Sequence, residues 1–192
     1  MPEPNPAAME FLLSRRSRPA KTLRPPAPDD ATLRRILTAA ARSPDHGKLE
    51  PWRFIVLRGA ALERLAALVE RLGPELGRGP EEVAKARAQF ADPPLCVAVI
   101  EVHKPSDKVP PIEQSYSAGA VCLGLLNAAL AAGFGANWLT GWPVYAPRFL
   151  TEGLGLAENE RVAGLIHIGT ETAAPPERPR PRLEAITQWL SE

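Results

Sequence analysis

From Ile112 to Phe134 the chain is nearly free of charge. After Glu113 no Asp, Glu, Lys or Arg occurs in that stretch, which is rich in alanine and glycine. A helix apolar on every side has to be covered on every side, by protein or by lipid. Gln114, Ser115, Ser117 and Asn127 within it, and the lack of basic anchors at its ends, argue against lipid. The segment is therefore expected to be a long buried central helix. Ala118, Gly119, Ala120 and Gly124 leave room for another backbone to come close, so the helix is also a candidate dimer contact. The 192 residues suffice for one domain over 1–192, or for one protomer of an intertwined oligomer.

The other elements are arranged to cover this helix. Residues 94–102 are almost continuously apolar and β-branched, the pattern of a strand buried on both faces. Shorter strands are predicted at 53–57, 136–141 and 161–169. Helical spacing appears at 6–13, at 33–41 behind a cap at Asp29 or Asp30, at 60–72, 81–90 and 147–154, and at 183–190. Pro25, Pro26 and Pro28 make 21–28 an extended connector, and Gly73–Pro80 reads as a break. Helices and strands alternate around one sheet, which gives an α/β or α+β class.

Charge and cysteine usage exclude several functions. The net charge of +1 gives no field to recruit nucleic acid or acidic membranes. Cys96 and Cys122 stand in apolar stretches and read as packed thiols in a reducing, cytoplasmic setting. No second His or Cys lies at ligand spacing from His46, so no metal site is expected. Neither G-x-S-x-G, G-x-G-x-x-G nor a P-loop lysine motif is present.

Several clusters could carry chemistry. Arg15-Arg16-Ser17 offers two guanidinium forks and a hydroxyl, the equipment of a phosphate clamp, although such a tripeptide also suits a solvated basic turn. Between a helix stopped at Ser43-Pro44 and a strand opened by Pro51-Trp52 lies the polar loop Asp45-His46-Gly47-Lys48. It fits a ligand site or an ordinary helix–strand junction. Arg178, Arg180 and Arg182 alternate with prolines as a stiff basic tail. Trp52, Trp138 and Trp142 suit either core or a ring-binding cleft.

Taken in order, these segments resemble the FMN-dependent nitroreductase superfamily, and in particular the small single-domain bacterial NAD(P)H nitroreductases. The series is Arg15-Arg16-Ser17, Arg42-Ser-Pro-Asp-His46, Pro51-Trp52-Arg53-Phe54, Glu113-Gln-Ser-Tyr-Ser-Ala-Gly119, Gly133-Phe-Gly-Ala-Asn-Trp138 and Gly164-Leu-Ile-His-Ile-Gly169. The resemblance implies an α+β sandwich with a mostly antiparallel sheet flanked by helices, in an intertwined homodimer with FMN at the interface. It implies that Arg15, Arg16 and Ser17 hold the phosphate and ribityl end, and that Arg42 and His46 reach the same flavin from the partner chain. Trp138, Leu139 and Thr140 would lie along the isoalloxazine edge, with Arg180, or Arg178 in a shifted register, adding a phosphate contact. The implied reaction is ping-pong transfer of two electrons from NAD(P)H to a small-molecule acceptor such as a nitroarene or quinone, with the flavin carrying the chemistry. The same fold hosts enone reduction, dehalogenation and flavin breakdown, and a flavin sensor or store is the alternative outside catalysis.

Overall fold

A computed structural model describes residues 3–191. The helices are α1 (Pro6–Ser14), α2 (Asp30–Ala40), α3 (Ala60–Glu75), α4 (Pro80–Ala91), α5 (Pro111–Ala131) and α6 (Leu183–Ile186). The strands are β1 (Leu23–Arg24), β2 (Trp52–Leu57), β3 (Leu95–Val102), β4 (Gly135–Leu139) and β5 (Glu160–Glu171). Every strand pairing is antiparallel. β5 is long enough to take β3 along one edge, and β4 followed by β1 along the other; β2 closes the far side of β3.

Side-chain alternation along β3 splits the core in two. Leu95, Val97 and Val99 face α2 and α5, joining Leu33, Ile36, Val121, Leu125 and Ile166. Cys96, Ala98 and Ile100 face α3 and α4, joining Leu65, Val69, Leu72, Phe90 and Phe149. Both faces of the sheet are thus covered, as the unbroken apolar run predicted. α5, without charge after Glu113, lies against β3, β4 and β5, and Gly124 brings it onto the backbone of Ala40, where a Cβ would stand 3.4 Å from Ala40 Cα. No helix among the described residues is long and apolar enough to cross a membrane.

Three expectations needed correction. The break at Gly73–Pro80 begins later, because α3 continues through Gly73 and Pro74 to Glu75. Proline in the last turn forfeits one ladder bond, and Gly73 is where Val83 of α4 packs; a Cβ there would come within 2.4 Å of it. The connector 21–28 is not wholly extended: a 3₁₀ turn at Ala20–Thr22 precedes β1. The terminal helix is a single turn, Leu183–Ile186, and Trp189 beyond it is 86% exposed. So short a helix needs an apolar surface to lie on, and this chain alone does not offer one.

Candidate functional site

β4 positions the site, and each of its ends opens on a different cleft. At the Gly135 end a cleft of about 320 Å³ is walled by Phe11, Ser14, Arg15, Arg16, Arg18, Leu130, Phe134 and Glu171 among others. The segment after α1 is tied to the strand by the Arg18 N–H, which donates to the Ala136 carbonyl at 2.8 Å. Gly135 has to be glycine, since a Cβ would meet Leu23 at 2.6 Å.

Charge in this cleft is unbalanced. Arg18 pairs with Glu171 at 3.0 Å, but Nε of Arg15 and Nε of Arg16 are buried without a partner among the described residues. Burial first, and then the guanidinium groups of Arg180 and Arg16, lower the Arg15 pKa below the usual arginine range. Arg16 donates to the Pro176 carbonyl at 2.9 Å, folding the C-terminal segment back, and Arg180 lies 3.2 Å from Glu177. Ser17 Oγ stands 3.4 Å from Arg15 Nη2. Of the two tail arginines considered, Arg180 is the one whose charge reaches Arg15.

The other end of β4 carries Trp138, Leu139 and Thr140. Ala136 points its carbonyl away from β5, so strand alternation puts the backbone groups of Trp138 on that same open edge. The Trp138 side chain, 37% exposed, lies across Gly164, whose missing Cβ would fall 2.1 Å from Trp138 Nε1. Thr140 lines a second cleft of about 240 Å³ with Gly141, Trp142 and the α4 residues Glu82, Lys85, Ala86 and Gln89. Gln89 packs over Gly141, where a Cβ would stand 3.1 Å from its Nε2. Lys85 and Gln89 were not singled out from sequence. They sit on an amphipathic helix whose polar face looks like any solvated one, and only the return of the chain at Thr140 gives it a neighbour.

Arg42 and His46 line neither cleft. Arg42 is exposed just past α2. His46 sits in a short 3₁₀ turn, its Nδ1 2.7 Å from Glu113 Oε2 in the first turn of α5. Neither thiol lines either cleft. Burial pushes Cys96 up and Cys122 up to about 12, so both stay protonated and inert.

Comparison with known proteins bears on the family and the fold. The family model described as "Nitroreductase family" matches residues 12–170. The Escherichia coli K12 protein named "Putative NAD(P)H nitroreductase YdjA" is 36% identical over 163 residues, covering 85% of this chain and 87% of that one. A Haemophilus influenzae protein named "Putative NAD(P)H nitroreductase" is 39% identical over 164 residues, 85% and 88% of the two chains. A nitroreductase-like family protein from Bacillus cereus superposes with a TM-score of 0.80 at 25% identity, over 99% of this chain and 98% of that one. A Desulfovibrio desulfuricans structure whose name includes a complex with FMN superposes with a TM-score of 0.76 at 21% identity, over 99% and 100%.

Proposed function

The chain belongs to the nitroreductase family, and from that premise we propose that it is an FMN-dependent oxidoreductase moving two electrons from NAD(P)H to an electron-poor acceptor. The observation that carries the reading is the crowding of Arg15, Arg16 and Arg180 at the Gly135 end of β4, with two buried Nε groups left without acceptors. A phosphate dianion fits such a set, because it accepts from several guanidinium N–H groups at once and relieves their mutual repulsion.

In this reading Arg15 and Arg16 hold the FMN phosphate, Ser17 the adjacent chain, and Arg180 closes over them. β4 spans about 13 Å from Gly135 to Leu139 at the usual rise per residue, which sets the ring end apart from the phosphate end. Trp138, Leu139 and Thr140 line the ring, with the open-edge N–H group of Trp138 as a donor. Lys85 supplies positive charge and Gln89 an amide where negative charge grows on reduction. Bound FMN supplies the redox chemistry, taking hydride from a nicotinamide and passing two electrons on. No side chain of this chain is needed as nucleophile. The acceptor is a small molecule such as a nitroarene or quinone.

Exposed Met9, Leu12 and Leu13 on α1, Tyr116 and Leu123 on α5, and Ile186, Trp189 and Leu190 in the tail support a homodimer that covers them. In that dimer Arg42 and His46 reach the flavin held by the partner. The unpaired buried thiols support a cytoplasmic setting. The visible spectrum of the purified protein, before and after anaerobic NADPH or NADH, tests the proposal. A flavin spectrum that bleaches supports it; a protein that stays colourless after incubation with FMN refutes it.

A further inference from the structure

His46 stands in a loop held at three points. Asp45 Oδ2 accepts from the Glu50 N–H at 2.5 Å and closes the turn. Gly47, at φ +74°, supplies the left-handed bend and lies against Val109. The third restraint is the imidazole itself, through the 2.7 Å contact of Nδ1 with Glu113 Oε2. Yet the His46 side chain is 58% exposed, and among the described residues Nε2 has no partner. An ionised carboxylate can only accept, so it selects the tautomer protonated at Nδ1 and leaves Nε2 as an outward acceptor. Ile112 and Tyr116, exposed one residue before Glu113 and one turn after it, flank the pair and mark a surface that an assembly would cover.

We propose that Glu113 is a positioning residue: by holding the Nδ1 proton of His46 it aims Nε2 across the dimer interface at a donor hydrogen of the flavin bound by the partner, either the ring imide N–H or a ribityl hydroxyl. The inference rests on the flavoprotein reading above, and its test separates the two. Long-range ¹⁵N–¹H NMR of the ligand-free protein reads the tautomer directly. The wild type shows Nδ1–H, and Glu113→Ala turns His46 toward Nε2–H. A wild-type imidazole protonated only at Nε2 overturns the orientation whatever the protein binds.

FMN titration followed by flavin fluorescence supplies the second readout. His46→Ala weakens binding by about tenfold, the scale of one good hydrogen bond. Glu113→Ala weakens it by about fivefold, less because the pair is exposed. The double variant stays near tenfold, since Glu113 acts only through His46, and Glu113→Gln, which keeps an acceptor, recovers most of the loss. Additive losses, or wild-type affinity in Glu113→Ala or in His46→Ala, overturn the inference while the protein remains a flavoprotein. A wild type that binds no FMN overturns the parent reading, and this inference with it. Lumiflavin, which lacks the ribityl chain, identifies the donor: the His46→Ala penalty persists if it is the ring and disappears if it is a ribityl hydroxyl.

Discussion

The two ends of β4 are built from opposite materials. At Gly135 four arginines, Arg15, Arg16, Arg18 and Arg180, meet two carboxylates, Glu171 and Glu177, and the surplus is positive. At Thr140 the neighbours are Gln89, Trp142, Glu82 and the lone ammonium of Lys85. A long ligand with an anion at one end can lie along the strand in only one direction. On the proposed reading the arginine end fixes its polarity, and the other end meets the ring with Trp142 and Ala86 beside the polar groups of Gln89, Glu82, Thr140 and Lys85. On that reading affinity and reactivity are separated along one strand, and substitutions at the two ends should fail in different ways.

The largest effect is expected at the charged end. Replacing Arg15 and Arg16 by Ala removes two charge-assisted contacts of roughly 1.5–3 kcal/mol each, so FMN affinity falls by about a hundredfold or more. Riboflavin, lacking the phosphate, should bind both proteins alike in the same titration. An equal loss for riboflavin would mean that the arginines hold the fold and not the anion.

The middle of the strand tests whether both ends depend on one scaffold. His167 pairs with Asn137 of β4 and Cys96 of β3 and is fully buried, with neither ring nitrogen bonded among the described residues. Burial lowers its pKa from 6.5 to about 4. Above pH 6.5 the ring is neutral in both states and adds nothing to the pH dependence. Between there and pH 4 the unfolded chain takes up a proton that the folded one refuses, so stability falls with acid, by up to about 3 kcal/mol. Urea midpoints at pH 7, 5.5 and 4.5 should decline in the wild type and stay level in His167→Leu. Glu160, held down to about 2 chiefly by the Arg53 fork, acts in a separate window, below its ordinary 4.5.

At the ring end Gly164→Ala forces a Cβ into Trp138 and against Cys122 Sγ, 3.0 Å away, an overpacking cost of about 1–3 kcal/mol. Trp138 should turn out into solvent, seen as a red-shifted emission and a lower Tm, with FMN still bound but its visible band altered. Smaller still is Lys85→Gln. Losing about 1 kcal/mol of stabilisation of the reduced flavin lowers its potential by about 20 mV with little change in FMN affinity. A change in affinity without a change in potential would move Lys85 from the ring to the phosphate side.

The contrast between the ends also explains what could be read from the sequence. β3 was legible because burial on both faces leaves only one kind of pattern, and α5 through its long run without charge, although Ile112, Tyr116 and Leu123 along it stay exposed in this chain. The Arg15-Arg16-Ser17 cluster, proposed as a clamp, was picked out through its order with later segments, since the tripeptide alone also fits a solvated turn. Lys85 and Gln89 were not, because their role depends on where β4 ends in space. The extension of α3 past Pro74 was hidden by a general rule about proline that a last helical turn evades. The collapse of residues 183–190 to one turn has the opposite cause: the apolar spacing is real, but the surface it needs is not supplied by the same chain.

The tail also offers the finest test of the charged end, because its register was left open between Arg178 and Arg180. Arg16 pins the segment at the Pro176 carbonyl, and from there Arg180, not Arg178, brings its charge to bear on Arg15. Its gain is reduced by Glu177, which sits 3.2 Å away and is itself held below the ordinary carboxylate range, first by the Arg178 N–H and then by Arg180 and Arg16. An exposed cation already paired in this way contributes little, so Arg180→Ala should weaken FMN by only about threefold, and Arg178→Ala should leave it unchanged. Glu177→Gln should tighten binding by a similar small factor, since it frees Arg180 without moving Pro176. The three titrations, repeated at high salt, should converge as screening removes the long-range part. A loss confined to Arg178→Ala would shift the tail by two residues and transfer the contact from one arginine to the other.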